Sequence, residues 1–230
     1  MAEGGEPEPL FSKSTSVILI GDDRPFLNWV AFALASATDP GFLWVDARPS
    51  GEVLSERDPI NQNVIAASRF AAVRPSALAP DHARANIAVS AVVRDDEPPE
   101  SLQLLMDFLR LPERTQARLS EIVATGPPRV VVLSNAHRLI GYYTVESVGP
   151  LMKAILSTGI VVLMTYADAP TDGRFGFTIV LHLEGRDPNA WRQASLRVEK
   201  GLATGIFRQG ATHRLSEIEP IAKVLSQHLG

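Results

Sequence analysis

Apolar residues occur along this chain in short uninterrupted runs, a pattern typical of strands that are buried on both faces of a parallel sheet. Segments with helical periodicity lie between several of the runs, so strands and helices are expected to alternate. The predicted strands cover residues 16–20, 42–47, 129–134 and 160–166, with residues 63–68 as a shorter candidate.

Proline and capping residues place the first helix directly after the first strand. Pro25 suits a first helical turn and Asp22 or Asp23 can cap it, so a helix is predicted from Pro25 to about Ala37. Further helices are predicted for residues 101–110, 112–125, 144–159 and, at the C-terminus, 216–229. The alanine-rich segment 69–99 follows no single periodicity, and no element is predicted there.

The pattern changes after the strand at 160–166. Three strand-like segments, residues 175–185, 191–201 and 204–210, follow one another with only turns between them. Such a succession predicts an antiparallel meander. The expected fold class is therefore α/β: a mostly parallel central sheet flanked by helices, with a C-terminal antiparallel β-hairpin extension. Residues 1–13 are predicted to be a disordered tail and residues 14–230 a single domain.

Composition narrows the possible functions only slightly. The 230 residues carry a formal net charge of −4, so the overall charge does not favour nucleic acid. The chain has no cysteine, which excludes disulfides, thiol catalysis and thiolate metal sites, and its five histidines show no metal-ligand spacing. No run approaches the roughly 18 apolar residues of a membrane span, and no signal peptide is recognisable. We expect a cytoplasmic protein that has no membrane segment, no metal and no cofactor.

The segment around Gly21 begins as a phosphate-binding loop does, with a buried strand, a glycine, a short polar turn and a helix. The motif GxxxxGK[ST] also requires a second glycine, a lysine for the phosphates and a hydroxyl for Mg²⁺. The corresponding positions hold residues that supply none of these: Phe26, Leu27 and Asn28. Asp22 and Asp23 add negative charge where an anion would bind. The sequence therefore predicts a degenerate phosphate loop.

Residues that follow the other strands are candidate ligand or interface positions, because parallel α/β sheets bind ligands at the carboxyl ends of their strands. Asp46 ends one strand, where dinucleotide-binding folds carry a ribose-binding acid, but only one glycine of GxGxxG is present, and a solvated carboxylate or a cap is the competing interpretation. Ser134, Asn135 and His137 stand where motor-type ATPases hold Mg²⁺ with an acid. Neither GxSxG nor an orienting acid supports hydrolysis by Ser134 and His137, which favours a hydrogen-bonded turn.

Basic residues concentrate toward the C-terminus, where Arg192, Arg197 and Lys200 lie in a predicted strand. On adjacent strands, basic side chains that share one face can grip phosphate or a neighbour's carboxylates. A solvated sheet face is the competing interpretation. His182 lies within another predicted strand and is expected to be half-buried and hydrogen-bonded.

These elements together resemble the RecA/KaiC-like P-loop ATPase family. The features are the strand–turn–helix at residues 17–35, the strand that ends at Asp46, the apolar strands near 130 and 160, and the hairpin FTIVLHLE…SLRVEKG. In KaiC-like proteins this hairpin carries basic residues that reach the nucleotide of the adjacent subunit, and Arg197 and Lys200 are similar to them. Asp46 is similar to the family's catalytic glutamate but shorter. The diagnostic lysine, hydroxyl and Walker B acid are missing.

The family also includes members that have lost the phosphate loop and persist as assembly or regulatory subunits. The resemblance therefore implies a pseudo-ATPase that acts through protein–protein association, as a homo-oligomer or beside a related ATPase subunit. Two alternatives stay open. One is a nucleotide-binding enzyme with an unorthodox site, either an NTPase or an oxidoreductase, although the missing Walker residues weigh against an enzyme. The other is a nucleic-acid-binding module that uses the C-terminal basic strands.

Overall fold

The computed structural model describes residues 10–39, 41–46, 55–62, 69–72, 128–134, 159–167 and 177–230. Within these ranges eight strands form one sheet: β1 (Ser16–Ile20), β2 (Leu43–Asp46), β3 (Arg69–Ala72), β4 (Val130–Ser134), β5 (Val161–Tyr166), β6 (Ile179–Glu184), β7 (Ser195–Lys200) and β8 (Thr212–Arg214). The described helices are α1 (Arg24–Thr38), α2 (Glu219–Leu229) and two short 3-10 helices, η1 (Pro188–Gln193) and η2 (Leu215–Glu217).

The strand order is β3-β2-β4-β5-β1-β6-β7-β8. All pairs from β3 to β6 are parallel, whereas β7 pairs antiparallel with both β6 and β8. Strands β1, β2, β4 and β5 are buried at every residue, so both faces of this part of the sheet are covered. The architecture confirms the predicted class, a mostly parallel sheet with a C-terminal antiparallel extension.

Helix α1 is enclosed on all sides because every residue from 26 to 35 is buried. It packs on β4 and β5 and against α2. The ring of His228, in the last turn of α2, lies 5.8 Å from that of Trp29 and 5.4 Å from that of Phe32. A large apolar side chain that is fully buried contributes roughly 1.5–3 kcal/mol, so α1 is a major source of the stability of the core.

One predicted strand boundary and one predicted strand are wrong in the C-terminal part of the chain. Residues 191–193, predicted as the beginning of a strand, belong to η1 because Asp187 caps this helix by accepting from Asn189 N and Pro188 fits its first turn. Residues 204–210 form a turn instead of a strand: Leu202 N donates to Phe207 O, and Gly205 and Gly210 have positive φ. The third antiparallel strand is β8.

Several predictions fall on residues outside the described ranges: the candidate strand 63–68 and the helices at 101–110, 112–125 and 144–158. Gly159 has φ +84°, the conformation expected of a glycine that follows a helix. Strand β3 lies at the start of the segment for which no element was predicted. Within the predicted tail, Phe11 is buried and its ring stacks on that of Phe207, with centroids 5.0 Å apart.

At the β8 edge of the sheet, backbone pairing is limited by a side chain. Residues 211 and 215 direct their backbone groups toward β7, where Val198 N donates to Ala211 O and Leu215 N donates to Ala194 O. By alternation the N–H of Arg214 points away from β7, and it donates to Glu217 Oε2 at 3.2 Å. No helix among the described residues is long and apolar enough to cross a membrane.

Candidate functional site

The candidate site is the carboxyl edge of the sheet, defined as the ends of β1, β2, β4 and β5 together with the turn from β1 to α1. Asp46 pairs in register with Ser134, and Thr165 pairs with Leu19. The alternation of side chains places Asp46, Ser134 and Thr165 on the face that α1 covers. The three polar side chains are 2%, 0% and 2% exposed. The sheet therefore ends in a buried polar row beneath the first turns of α1.

The turn between β1 and α1 consists of Gly21, Asp22 and Asp23 alone. Asp23 caps the helix: its Oδ1 accepts from Phe26 N at 2.9 Å, and its backbone oxygen accepts from Leu27 N at 2.9 Å. A phosphate at a helix N-terminus is held by such N–H groups and by the helix dipole. Here the chain's own carboxylate accepts from one of them and adds negative charge to the place where a phosphate would bind.

Gly21 has a packing role in this turn. A Cβ at this position would lie 3.2 Å from Leu183 Cβ, 3.2 Å from Leu27 Cδ2 and 3.3 Å from the Leu183 carbonyl oxygen. Glycine therefore allows the end of β1 to approach β6 closely. Phe26 and Leu27 are buried in the core, as expected of apolar residues on this helix.

Asn28, which takes the place of the motif's Mg²⁺-binding hydroxyl residue, is 1% exposed and bonded within the protein. Its Nδ2 donates to Asp58 Oδ2 at 2.7 Å, and its Oδ1 lies 3.5 Å from the donor Thr165 Oγ1. Asp58 is 2% exposed, and its Oδ1 also accepts from Ile60 N at 3.0 Å. Sequence reasoning missed both Asp58 and Thr165. The available signal was the single amide in the apolar stretch FLNWVAFALA, because a buried amide needs partners.

Asp46 and Ser134 belong to a second buried network. Trp44 Nε1 donates to Ser134 Oγ at 3.0 Å, and Ser134 Oγ donates to Asp46 Oδ1 at 3.3 Å. The interpretation of Asp46 as a solvated strand-end carboxylate is therefore wrong, because the indole and the hydroxyl lie with it in the core. Ser134 was predicted to take part in a hydrogen-bonded turn, and in the structure its partners Trp44 and Asp46 lie on the neighbouring strand β2. Asn135 and His137 are outside the described residues.

Two exposed ion pairs lie around the β1–α1 turn. Arg186 Nη2 lies 2.8 Å from Asp22 Oδ2, and Arg57 Nη2 lies 2.9 Å from Asp187 Oδ1. The first pair joins the turn to the loop after β6, and the second joins that loop to residues 55–62. The carboxylate of Asp22, predicted to repel an anion, is thus partly neutralised by Arg186.

The three basic candidates of the C-terminal strands lie apart. Arg192 is in η1, where its guanidinium carbon lies 4.7 Å from the centroid of the Trp191 ring. Arg197 Nε is paired with Glu184 Oε1 at 3.2 Å. Lys200 pairs in register with Val180, two residues before the partner of Ile20 at the end of β1, and so lies about 7 Å along the strand from the carboxyl edge. Arg192 therefore lies outside the strands on which a shared basic face was predicted, and Arg197 contacts a carboxylate of its own chain.

His182 and Tyr166 are two further titratable residues that are at least half-buried. His182 is half-buried and hydrogen-bonded to Glu199, as predicted for a residue inside a strand. Burial raises the pKa of the Tyr166 hydroxyl at the end of β5. Among the described residues, no group of three or more histidine, aspartate and glutamate side chains is arranged to hold a metal ion.

No protein-family model matches the chain, and no curated protein matches it in sequence. Among solved structures, it is similar to the flagellar accessory protein FlaH from Methanocaldococcus jannaschii. The two share 14% sequence identity with a TM-score of 0.48, over 89% of this chain and 86% of FlaH.

Proposed function

We propose that this chain is a RecA/KaiC-like domain that has lost nucleotide binding at the phosphate-loop position and acts as an assembly or regulatory subunit through protein–protein association. One observation carries the first half of the proposal. The three-residue turn is capped by Asp23, whose carboxylate accepts from Phe26 N at 2.9 Å. A triphosphate would have to displace this carboxylate without the lysine and the glycine-rich backbone that hold phosphates in such loops.

The neighbouring polar groups add support because they are bonded to one another. Asn28 stands where the Mg²⁺-binding hydroxyl of the motif would be, and its amide is bonded to Asp58. Ser134 stands where the Walker B acid would be, and its hydroxyl bridges Trp44 and Asp46. The sheet is preserved, and the polar residues of the site are bonded to one another. The surface of the domain is therefore the part that is available for function. The resemblance to family members that act as assembly or regulatory subunits supports association.

The first test is a titration with a fluorescent ATP analogue, with and without Mg²⁺, at low salt. We expect no saturable binding up to millimolar nucleotide. An Asp23→Ser variant is the matched control, because serine keeps a helix cap and removes the carboxylate charge. Saturable binding to the wild-type chain that ATP competes away would contradict the proposal and favour the unorthodox nucleotide-binding enzyme.

The second test addresses association directly. Sedimentation velocity over a concentration series is expected to show reversible self-association, and a monomer at every concentration contradicts the homo-oligomeric form of the proposal.

Binding of a single-stranded oligonucleotide that weakens steeply with salt would favour the nucleic-acid-binding alternative if it is lost in the double variant Arg192→Ala, Arg197→Ala.

A further inference from the structure

Residues 55–62, called the strap below, form a small folded unit without regular secondary structure. Its backbone bonds close on Asp58: Asp58 N donates to Ser55 O at 3.0 Å, and Asn61 N and Gln62 N donate to Asp58 O at 3.0 and 3.2 Å. Most of the strap is exposed, whereas Asp58 and Pro59 are buried. Because these bonds lie within the strap, it can keep its shape while its contacts with the rest of the protein change.

Within the part of the chain that the structure describes, three hydrogen-bonded contacts attach the strap to its surroundings. Trp29 Nε1 donates to the Arg57 carbonyl oxygen at 2.8 Å, and Asn28 Nδ2 donates to Asp58 Oδ2 at 2.7 Å. On the outer side, Arg57 is paired with Asp187 at 2.9 Å, with both side chains about half exposed. The attachment thus combines a buried amide–carboxylate bond, an indole–carbonyl bond and an exposed ion pair.

The strap covers polar groups at the carboxyl edge. Asn28 is bonded to Asp58 through one end of its amide, and the other end faces the hydroxyl of Thr165. Both Asn28 and Thr165 are almost completely buried in this arrangement. The carboxyl ends of parallel strands are where α/β folds admit ligands.

We propose that the strap is a lid that detaches from α1 as one unit and uncovers Asn28 and Thr165 while the rest of the core stays folded. Segments with few buried contacts and exposed backbone open at a lower free energy than core elements. Five of the eight strap residues are exposed, with Asp58 and Pro59 buried and Ile60 packed against the core, whereas the indole of Trp44 is bonded to Ser134 inside the sheet core. The proposal does not depend on the function proposed above.

The test uses the indole N–H groups as reporters in one ¹⁵N-labelled sample of the full chain. Trp29 reports detachment of the strap, since its acceptor is Arg57 O, and Trp44 reports opening of the core. We expect hydrogen exchange at the Trp29 indole to be about tenfold or more faster than at Trp44 and nearly independent of low urea concentrations.

An Asp187→Asn variant removes the charge that pairs with Arg57 and keeps the cap of η1, because asparagine is a good N-cap. Exchange at Trp29 is expected to rise about two- to fivefold, as loss of an exposed ion pair implies, and exchange at Trp44 to stay unchanged. Asp22→Asn is the matched control: it removes an exposed carboxylate paired with Arg186 and leaves the strap untouched. Equal exchange at the two indoles, or a Trp29 rate that Asp187→Asn does not change, overturns the proposal.

Discussion

The side-chain amide of Asn28 donates to the carboxylate of Asp58, 2.7 Å away and thirty positions further along the chain. The bond is buried and connects the first turns of α1 to an irregular segment. In a phosphate loop the residue at this place would bind Mg²⁺ through a hydroxyl. Here the same place holds a contact that stabilises the protein itself.

The Asn28–Asp58 bond is expected to be strongly coupled in a double-mutant cycle. Asn28→Ala and Asp58→Ala should each lower the free energy of unfolding by about 2–3 kcal/mol, because each leaves a buried polar group with one partner fewer. The double variant should lose less than the sum, with a coupling of about 1 kcal/mol or more. Urea unfolding followed by circular dichroism measures all three. Strict additivity would show that the bond contributes nothing of its own.

Replacement of the cap tests how the β1–α1 turn is stabilised. Asp23→Ala removes the acceptor of Phe26 N and should lower the free energy of unfolding by about 1 kcal/mol. Asp23→Asn keeps an acceptor at the same place and should lose much less. The comparison is again made by urea unfolding. Equal losses in the two variants would mean that the carboxylate charge matters and the capping bond does not.

Gly21→Ala should destabilise the fold although the backbone at Gly21 does not have the positive φ that favours glycine. The new Cβ would meet Leu183 Cβ and Leu27 Cδ2 at 3.2 Å and the Leu183 carbonyl oxygen at 3.3 Å, and the backbone oxygen cannot move without displacing β6. We expect a loss of about 1–3 kcal/mol by thermal or urea unfolding, as for other overpacked sites. A gain of about 0.4–1 kcal/mol, the usual effect of replacing an unconstrained glycine, would contradict the packing role.

Tyr166 should make the protein sensitive to alkaline pH. Burial raises the pKa of its hydroxyl in the folded state above the value of about 10 expected in the unfolded chain. Between these two values the unfolded state binds fewer protons than the folded state, so the free energy of unfolding falls as pH rises. Well below pH 10 the Tyr166 hydroxyl is protonated in both states, so it does not make the free energy of unfolding depend on pH.

Tyr166→Phe is expected to flatten the decline in stability above about pH 10, measured as urea midpoints between pH 8 and 11. The comparison is one of slopes, so a constant loss from the missing hydroxyl does not affect it. Identical slopes in the two proteins would assign the alkaline decline to other groups.

Strands β1, β2, β4 and β5 were predictable because each is a short apolar run bounded by polar residues, whereas β3 has the sequence RFAA, which is not such a run. β1 begins and ends where the pattern places it, since Ser16 follows a polar segment and Gly21 precedes two aspartates. The C-terminal errors have a different origin. Trp191 lies in the 3-10 helix η1, and its side chain is buried. In the sequence, an aromatic residue near other apolar residues resembles the beginning of a strand. The pair Asp187-Pro188 was the signal for a capped helix instead.

The site was predictable as a set of missing residues and not as a set of contacts. The sequence shows that lysine, hydroxyl and second glycine are absent from the turn, and the family pattern explains why this matters. It does not show that Asn28 meets Asp58 or that Ser134 lies between Trp44 and Asp46, because these partners come from separate strands and loops. Contacts of this kind depend on sheet register and on the path of the chain between elements.

The carboxylate of Glu217 has a consequence for any assembly that this chain enters. It occupies the outward N–H of Arg214 at 3.2 Å, so another chain cannot lengthen the sheet there by a full ladder of main-chain bonds. Growth into a fibril by strand addition at β8 is therefore hindered by the protein's own side chain. A partner that approaches from this side must recognise side chains, and its specificity will be set by their shape and charge.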